Sequence, residues 1–145
     1  VLIDCTNPVK PDLSGLDVGP GTSAAERVAG WAPGAKVFKA FNTTGANNMA
    51  DPVINGVRTV MFVCGDDRAA KPAVLGLAAD VGFDPVDAGP LANARLLEGW
   101  AMLWIHLAVR GGLGPDFGFA LIRRGPTGVT RPPGGNRPSA SDGAG

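Results

Sequence analysis

The sequence has few of the residues that build metal sites and disulfide frameworks: its 145 residues include two cysteines and one histidine. Cys5 and Cys64 lie far apart, a spacing that matches neither a metal site nor a disulfide framework. Each is expected to be a small buried hydrophobe at a strand end. We therefore predict a protein without a bound metal.

Net charge and long apolar runs are missing as well. The 13 basic and 13 acidic residues cancel, so no electric field attracts nucleic acid or an anionic membrane. The longest apolar run, residues 100–109, is too short to span a bilayer, and no secretory signal is visible. These absences predict a cytoplasmic protein with no nucleic-acid or membrane partner. An apolar content of 45% is enough to build one core.

Short apolar segments alternate with helical patterns, which predicts an α/β fold with a parallel sheet and crossover helices. Ser23 is placed to cap the first helix, with Glu26 as its reciprocal partner. The last helix is apolar on both sides, so a partner subunit or a further part of the fold should cover it. The predicted strands are residues 1–4, 36–41, 59–63 and 83–88, and the predicted helices are residues 23–31, 66–81 and 91–109.

The end of the chain is less regular. Residues 117–122 form an apolar run that fits either a helix or a strand. Residues 125–145 are rich in Gly, Pro, Ser and Asn and are expected to be a disordered tail. The folded domain is therefore predicted to occupy residues 1–124.

One glycine pattern fits a dinucleotide-binding turn: residues 19–24 match G-x-G-x-x-A before a helix. A phosphate-binding turn requires a strand that runs straight into it, whereas an irregular loop rich in Pro, Asp and Gly comes before this one. No acidic partner for a ribose ends a second strand about 20 residues further on. We therefore interpret residues 19–24 as a flexible loop.

Three segments that follow predicted strands carry the polar groups. In an open parallel sheet, ligands bind beyond the carboxyl ends of the strands. These segments supply amides, hydroxyls and exposed backbone without paired carboxylates, which favours cofactor positioning over hydrolysis or proton transfer. Taken alone, each asparagine in them could equally be a turn or cap residue. The segments are residues 5–8, 42–46 and 87–91.

Residues 41–49, 64–67 and 87–98 occur in the order and spacing of one family. The chain resembles the NADPH-dependent reductases of the deazaflavin coenzyme F420 from about residue 1 to about residue 124. The resemblance implies a Rossmann-like doubly wound parallel sheet with a long C-terminal helix, incomplete because the N-terminal half with its glycine-rich turn is missing. It also implies hydride transfer between NADPH and F420, in an enzyme that is a homodimer when full-length.

The resemblance further implies a cofactor site without an assigned catalytic residue. Asn7 and Pro8 would lie beside the nicotinamide of NADP, and residues 42–46 would face the junction of nicotinamide and deazaflavin, where Gly45 lets a ring come close. The implied cofactor-binding residues are Asn7, Pro8, Asn42, Thr43, Thr44, Gly45, Ala46 and Leu91.

Alternative functions stay open. One branch of the family carries His-Thr-Ile-Pro-Ala at residues 42–46, so the acceptor could instead be a flavin, a metal chelate or a small carbonyl compound. The oxidoreductase domains of metalloreductases resemble the chain more distantly. A non-catalytic domain for assembly or ligand sensing is the remaining alternative.

The last helix holds other conspicuous side chains. Arg95 and Glu98 have the spacing of an intrahelical ion pair. His106 is expected to be a hydrogen-bonded core or interface residue, not a catalytic one. Trp100 and Trp104, one turn apart, are expected to be packing anchors.

Overall fold

The computed structural model describes residues 1–124, and the predicted tail at 125–145 lies outside the described residues. The described residues form the α/β fold expected from the alternating pattern. In chain order the elements are β1 (Leu2–Asp4), α1 (Ala24–Trp31), β2 (Val37–Lys39), α2 (Asn47–Ala50), β3 (Val53–Ile54), β4 (Val57–Arg58), β5 (Val60–Gly65), α3 (Lys71–Val81), β6 (Asp84–Asp87), a 3-10 turn (Leu91–Asn93) and α4 (Ala94–Val109).

Four strands form the main sheet in the order β1-β2-β5-β6. The outer pairs, β1 with β2 and β5 with β6, are parallel, but β2 and β5 are antiparallel, with Phe38 opposite Gly65. This middle pair differs from the expected all-parallel sheet because the connection from β2 to β5 contains the four-residue helix α2 and a hairpin in place of a long crossover helix. The carboxyl ends of β5 and β6 therefore lie at the opposite edge of the sheet from those of β1 and β2.

The connection from β2 to β5 contains a small hairpin that was not predicted. Its strands, β3 and β4, have two residues each, too few to show an alternating pattern. Asn55 and Gly56 form the turn, with φ angles of 51° and 77°. Asn-Gly is the dipeptide that most favours such a two-residue turn, so this pair was the available signal.

Helix α1 begins as predicted. The hydroxyl of Ser23 accepts a hydrogen bond from the Glu26 backbone N–H at 3.1 Å and donates one to the Glu26 carboxylate at 2.8 Å. Ser23 thereby satisfies one of the N–H groups that the first helical turn leaves free.

Helix α3 begins later than predicted, at Lys71. Asp67 caps the turn before it, accepting a hydrogen bond from the Ala70 N–H at 2.8 Å. Pro72 lies in the first helical turn, where its missing N–H costs no hydrogen bond. Gly82, with φ of 112°, ends the helix in the left-handed conformation.

Helix α4, which the sequence shows to be apolar on both sides, buries only one face against the described residues. Its buried side chains are Ala94, Leu97, Glu98, Ala101 and Trp104. Leu96 and Leu103 are 70% and 47% exposed, and His106 is exposed as well. A core position for His106 is therefore wrong, while its role at an interface stays a prediction.

Residues 117–122 are neither helix nor strand. The segment nevertheless packs beside the start of β5, where the Phe119 carbonyl accepts a hydrogen bond from the Val60 N–H at 2.8 Å. The ring of Phe119 contacts Trp100 with a centroid separation of 5.0 Å, and Phe117 stacks on Trp104 at 5.1 Å. The packing role predicted for the two tryptophans is confirmed.

The two cysteines have different surroundings. Cys64 is buried as expected, and its burial raises the pKa of the thiol to about 11. Cys5 is exposed, so the prediction of a buried residue is wrong there. The described residues contain no group of three or more metal-binding side chains. Within residues 1–124, no helix combines the length and the apolar character needed to cross a bilayer.

Candidate functional site

The loops that follow β1 and β2 bring two asparagines into contact. The Asn7 amide donates a hydrogen bond to the Asn42 backbone carbonyl at 2.8 Å, and the Asn42 amide donates one to the Asn7 side-chain oxygen at 2.9 Å. Asn42 is only 3% exposed, and its Oδ1 atom is buried without a hydrogen-bond partner among the described residues. Buried polar atoms are nearly always paired. This free acceptor therefore marks a place where a donor from another molecule or segment can bind.

Phe41 sets the direction of the chain just before Asn42. Its φ angle is 60°, a conformation that is unfavourable for a bulky side chain by about 1–3 kcal/mol. The Phe41 N–H donates to Sδ of Met61 at 3.1 Å, and its ring meets the edge of Phe83 at 6.3 Å. These contacts hold a strained backbone beside the asparagine pair. Strain of this kind is concentrated at functional sites.

The rest of residues 42–46 is held by protein contacts. Thr43 is buried, with its hydroxyl 3.9 Å from the Met61 sulfur. The Thr44 hydroxyl accepts a hydrogen bond from the Asn48 amide at 2.7 Å, and the same amide donates to the Phe117 carbonyl at 2.8 Å. Ala46 is exposed. The loop is therefore tied to the segment that covers helix α4.

Three buried charged residues, Lys39, Asp4 and Glu98, lie next to the loop after β1. None of them was predicted as a site residue. The Lys39 ammonium lies 2.8 Å from the Asp4 carboxylate and 2.9 Å from the Glu98 carboxylate. It also donates to the Thr6 carbonyl at 2.5 Å. The available signal was a lysine inside an apolar strand and a glutamate among the leucines of α4, since charges on buried faces require partners.

The charge on Asp4 is favoured by its hydrogen bonds. Burial by itself would raise the pKa of the Asp4 carboxyl. The hydrogen bond from Lys39 and those from Thr6 outweigh burial and hold the pKa below its ordinary value of 3.8. Thr6 contributes its backbone N–H at 2.9 Å and its hydroxyl at 2.7 Å. Asp4 is therefore ionised at neutral pH and forms a true ion pair with Lys39.

Glu98 also occupies the N-terminus of α1. Its carboxylate accepts hydrogen bonds from the N–H groups of Ala24 at 3.1 Å and Ala25 at 3.3 Å. A helix N-terminus is where a nucleotide phosphate would bind, but here a buried carboxylate already fills it. This supports the interpretation of residues 19–24 as a loop without a phosphate.

Arg95 does not pair with Glu98, which corrects the intrahelical ion pair expected from their spacing. The Arg95 guanidinium instead forms two hydrogen bonds with Glu26, at 2.5 and 2.8 Å. Glu98 faces the core and Arg95 lies at the surface, so the two side chains leave the helix in different directions. Arg95 therefore ties α4 to α1.

Known proteins that are similar to this chain include named reductases. No family model matches the chain. Metalloreductase STEAP3 of Rattus norvegicus is 36% identical over 98 residues, which cover 68% of this chain and 19% of that protein. The F420-dependent NADP reductase of Methanothermobacter marburgensis is 34% identical over 118 residues, covering 76% of this chain and 52% of the reductase.

A solved structure from Arthrobacter sp. FB24, whose description reads putative F420-dependent NADP reductase, matches this chain with a TM-score of 0.75 and 34% identity. The match covers 84% of this chain and 57% of that one. Over this shared part, the chain is homologous to F420-dependent NADP reductases. It spans about half the length of the F420-dependent NADP reductase that it matches. The Rossmann-like α/β class expected from the resemblance is confirmed by the solved relative.

In this chain, the predicted site residues separate into two places. Asn7 and Asn42 meet beyond β1 and β2, and Pro8 stays beside them, with its carbonyl bound by the Asp17 N–H at 2.5 Å. Leu91 lies at the opposite edge of the sheet, where its N–H donates to Asp66 at 2.9 Å. One common edge for all the predicted residues is therefore wrong, because β5 and β6 run in the reverse direction.

Proposed function

We propose that the protein is an NADP-dependent oxidoreductase that transfers hydride between NADPH and coenzyme F420, and that the described residues form the nicotinamide side of its site. One observation carries this proposal: the buried Asn7–Asn42 pair leaves a free acceptor, Asn42 Oδ1, beyond the carboxyl ends of β1 and β2. The similarity to F420-dependent NADP reductases in sequence and fold supports the reaction class.

The chemistry of the asparagine pair suits the carboxamide of nicotinamide. That carboxamide has an N–H to donate, and Asn42 Oδ1 is an acceptor without a partner in residues 1–124. When bound, NADPH supplies the hydride and the deazaflavin receives it. The residues at this edge then bind and orient the rings and keep water away, which is the main task of a protein between two cofactors.

The described residues do not fit the other end of NADP. The glycine pattern at residues 19–24 follows a loop, and Glu98 occupies the helix N-terminus behind it. A pyrophosphate placed there would meet a buried carboxylate. We therefore propose that a further segment of the protein binds the phosphates, as the resemblance to a two-part dinucleotide fold implies. The preference for NADP over NAD would be decided in that segment.

A second candidate is an NADP-dependent reductase of a metal chelate. The observation that favours it is the 36% identity to a metalloreductase. Neither a flavin, nor a small carbonyl compound, nor a non-catalytic role is favoured by a particular contact of the described residues.

The test compares acceptors with the full-length protein that contains this chain. NADPH oxidation is followed with F420, a flavin and a ferric chelate in separate reactions, and we expect F420 to give the highest kcat/KM. Asn42→Leu removes the free acceptor and should lower that kcat/KM by about tenfold. This corresponds to a loss of about 1.4 kcal/mol of transition-state stabilisation. If only the chelate is reduced, the second candidate replaces the first. If no acceptor is reduced, the enzymatic proposal is wrong.

A further inference from the structure

Lys39 is conspicuous because it is fully buried and yet satisfied. None of its surface is exposed, and its ammonium has three acceptors: Asp4, Glu98 and the Thr6 carbonyl. An ammonium has three N–H donors, so all of them are used. Burying ions is costly, and an apolar side chain of similar volume often gives equal or greater stability. Stability alone is therefore a weak reason for a lysine in the middle of β2.

The three acceptors of Lys39 lie on different elements. Asp4 ends β1, Thr6 belongs to the loop after it, and Glu98 lies in the middle of α4. Glu98 in turn binds the first N–H groups of α1. One ammonium thus joins the strand, the loop and two helices.

Thr6 is the residue through which this cluster reaches the site. Lys39 binds its carbonyl, while Asp4 accepts hydrogen bonds from its N–H and its hydroxyl. The backbone N–H, the hydroxyl and the carbonyl of Thr6 are therefore all fixed by hydrogen bonds. The next residue is Asn7, whose amide then reaches the Asn42 carbonyl at 2.8 Å.

We propose that Lys39 is a positioning residue, whose ammonium fixes the Thr6 carbonyl and so directs the Asn7 side chain onto Asn42. Its importance for hydride transfer rests on the proposed function, because the pair must then lie against the nicotinamide. Its effect on the position of Asn7 does not depend on that function.

The test uses two variants of the full-length protein that differ only at residue 39. Glu98→Gln keeps a balanced pair of Lys39 and Asp4 and serves as the control. Lys39→Met/Glu98→Gln removes the ammonium from the same background without leaving two unpaired carboxylates. Crystal structures of both variants give the Asn7–Asn42 distances, and kinetics with NADPH and F420 give kcat alongside the Kd for NADPH.

We expect the control to keep both Asn7–Asn42 hydrogen bonds and the double variant to lose them, with separations beyond about 3.5 Å. Relative to the control, kcat should fall by about tenfold or more. The Kd for NADPH should change by less than about threefold, since phosphate contacts elsewhere dominate binding. If Lys39 had a purely structural role, its loss would lower thermal stability without a fall in kcat that exceeds the change in the Kd for NADPH.

Intact Asn7–Asn42 hydrogen bonds in the double variant would overturn the proposal, as would equal kcat values in the two variants. If the double variant does not unfold cooperatively, Lys39→Gln/Glu98→Gln replaces it, because the glutamine amide keeps a polar group but ends one bond short of the lysine ammonium. If the wild-type protein does not oxidise NADPH at all, the proposed function fails, and the crystal structures alone decide the role of Lys39.

Discussion

The indole ring of Trp104 lies against Gly45 so closely that no side chain fits between them. A Cβ atom on Gly45 would fall 2.6 Å from Cη2 of the ring. Trp104 cannot easily move away, because its Nε1 donates to the Phe117 carbonyl at 3.1 Å and its ring stacks on Phe117. The family resemblance implied that a cofactor ring comes close to Gly45. The ring found against this glycine belongs to the protein, and the φ angle of Gly45 is not positive.

Replacing Gly45 by valine should therefore act first on folding. The branched side chain must displace Trp104 or the loop, and overpacking of this kind costs about 1–3 kcal/mol. Urea unfolding measures the loss. Gly99→Ala on the exposed side of α4 is the control, because no atom lies within 4 Å of its Cβ position, and it should be neutral or stabilising by up to about 1 kcal/mol. Equal unfolding free energies for Gly45→Val and the wild type would show that Trp104 yields freely.

Glu98 and Arg95 should differ strongly in their contribution to stability, although three residues separate them on one helix. Glu98→Ala leaves Lys39 with a weaker partner set and frees two helix N–H groups, so we expect a loss of about 3–5 kcal/mol. Arg95→Ala removes an ion pair whose arginine side chain is 41% exposed, and exposed pairs contribute about 0–1 kcal/mol. Denaturant unfolding of both variants measures the two losses of unfolding free energy. A similar loss in both would mean that the buried cluster tolerates an unpaired lysine.

Acid should destabilise the protein in part through Asp4. The pKa of Asp4 in the folded state is held below 3.8, so the unfolded state binds the proton more readily. The stabilisation from Asp4 is therefore present above pH 3.8 and disappears as the pH falls through the folded-state pKa. Asp4→Asn should make the decline of the unfolding free energy below that pH shallower. The comparison variant is Asp87→Asn, which removes a half-exposed ion pair with Lys71. High salt should abolish the difference in unfolding free energy between this variant and the wild type, because salt screens exposed charges. If salt abolishes the effect of Asp4 equally, the carboxylate is not buried in solution.

NADPH should not bind to residues 1–145 alone with useful affinity. The candidate phosphate loop does not follow a strand, and its helix N-terminus is occupied by Glu98. A titration that follows tryptophan fluorescence should show no saturable change. Saturation at micromolar NADPH would mean that residues 19–24 bind phosphate and that Glu98 moves aside.

Several features of the fold could be predicted from neighbouring residues. The Ser23 cap, Pro72 in the first turn of α3 and the long α4 all follow from patterns within one or two helical turns. The hairpin β3–β4 was missed because its strands are shorter than any detectable alternation, and Asn55-Gly56 was its only signal. Homodimer formation and the cytoplasmic location remain predictions.

The candidate site was predicted in part. Asn7 and Asn42 were expected together, since each follows a strand, and the structure places them in hydrogen-bond contact. Leu91 was expected at the same edge on the assumption that all strands are parallel, which the β2–β5 pair contradicts. In the sequence, Lys39 is indistinguishable from an ordinary strand residue, because its partners are distant along the chain.

The sequence by itself determined the longer strands and helices, the cap of α1 and the family that the chain resembles, because those properties depend on local periodicity, caps and short motifs. Only the tertiary structure decided the direction of β5 and the partners of the buried charges. Lys39 and Glu98 are 59 residues apart, and Glu98 and Ala24 are 74 apart. No local pattern specifies such pairs; they form because a charge enclosed in an apolar core is stable only where opposite charges and free N–H groups converge on it.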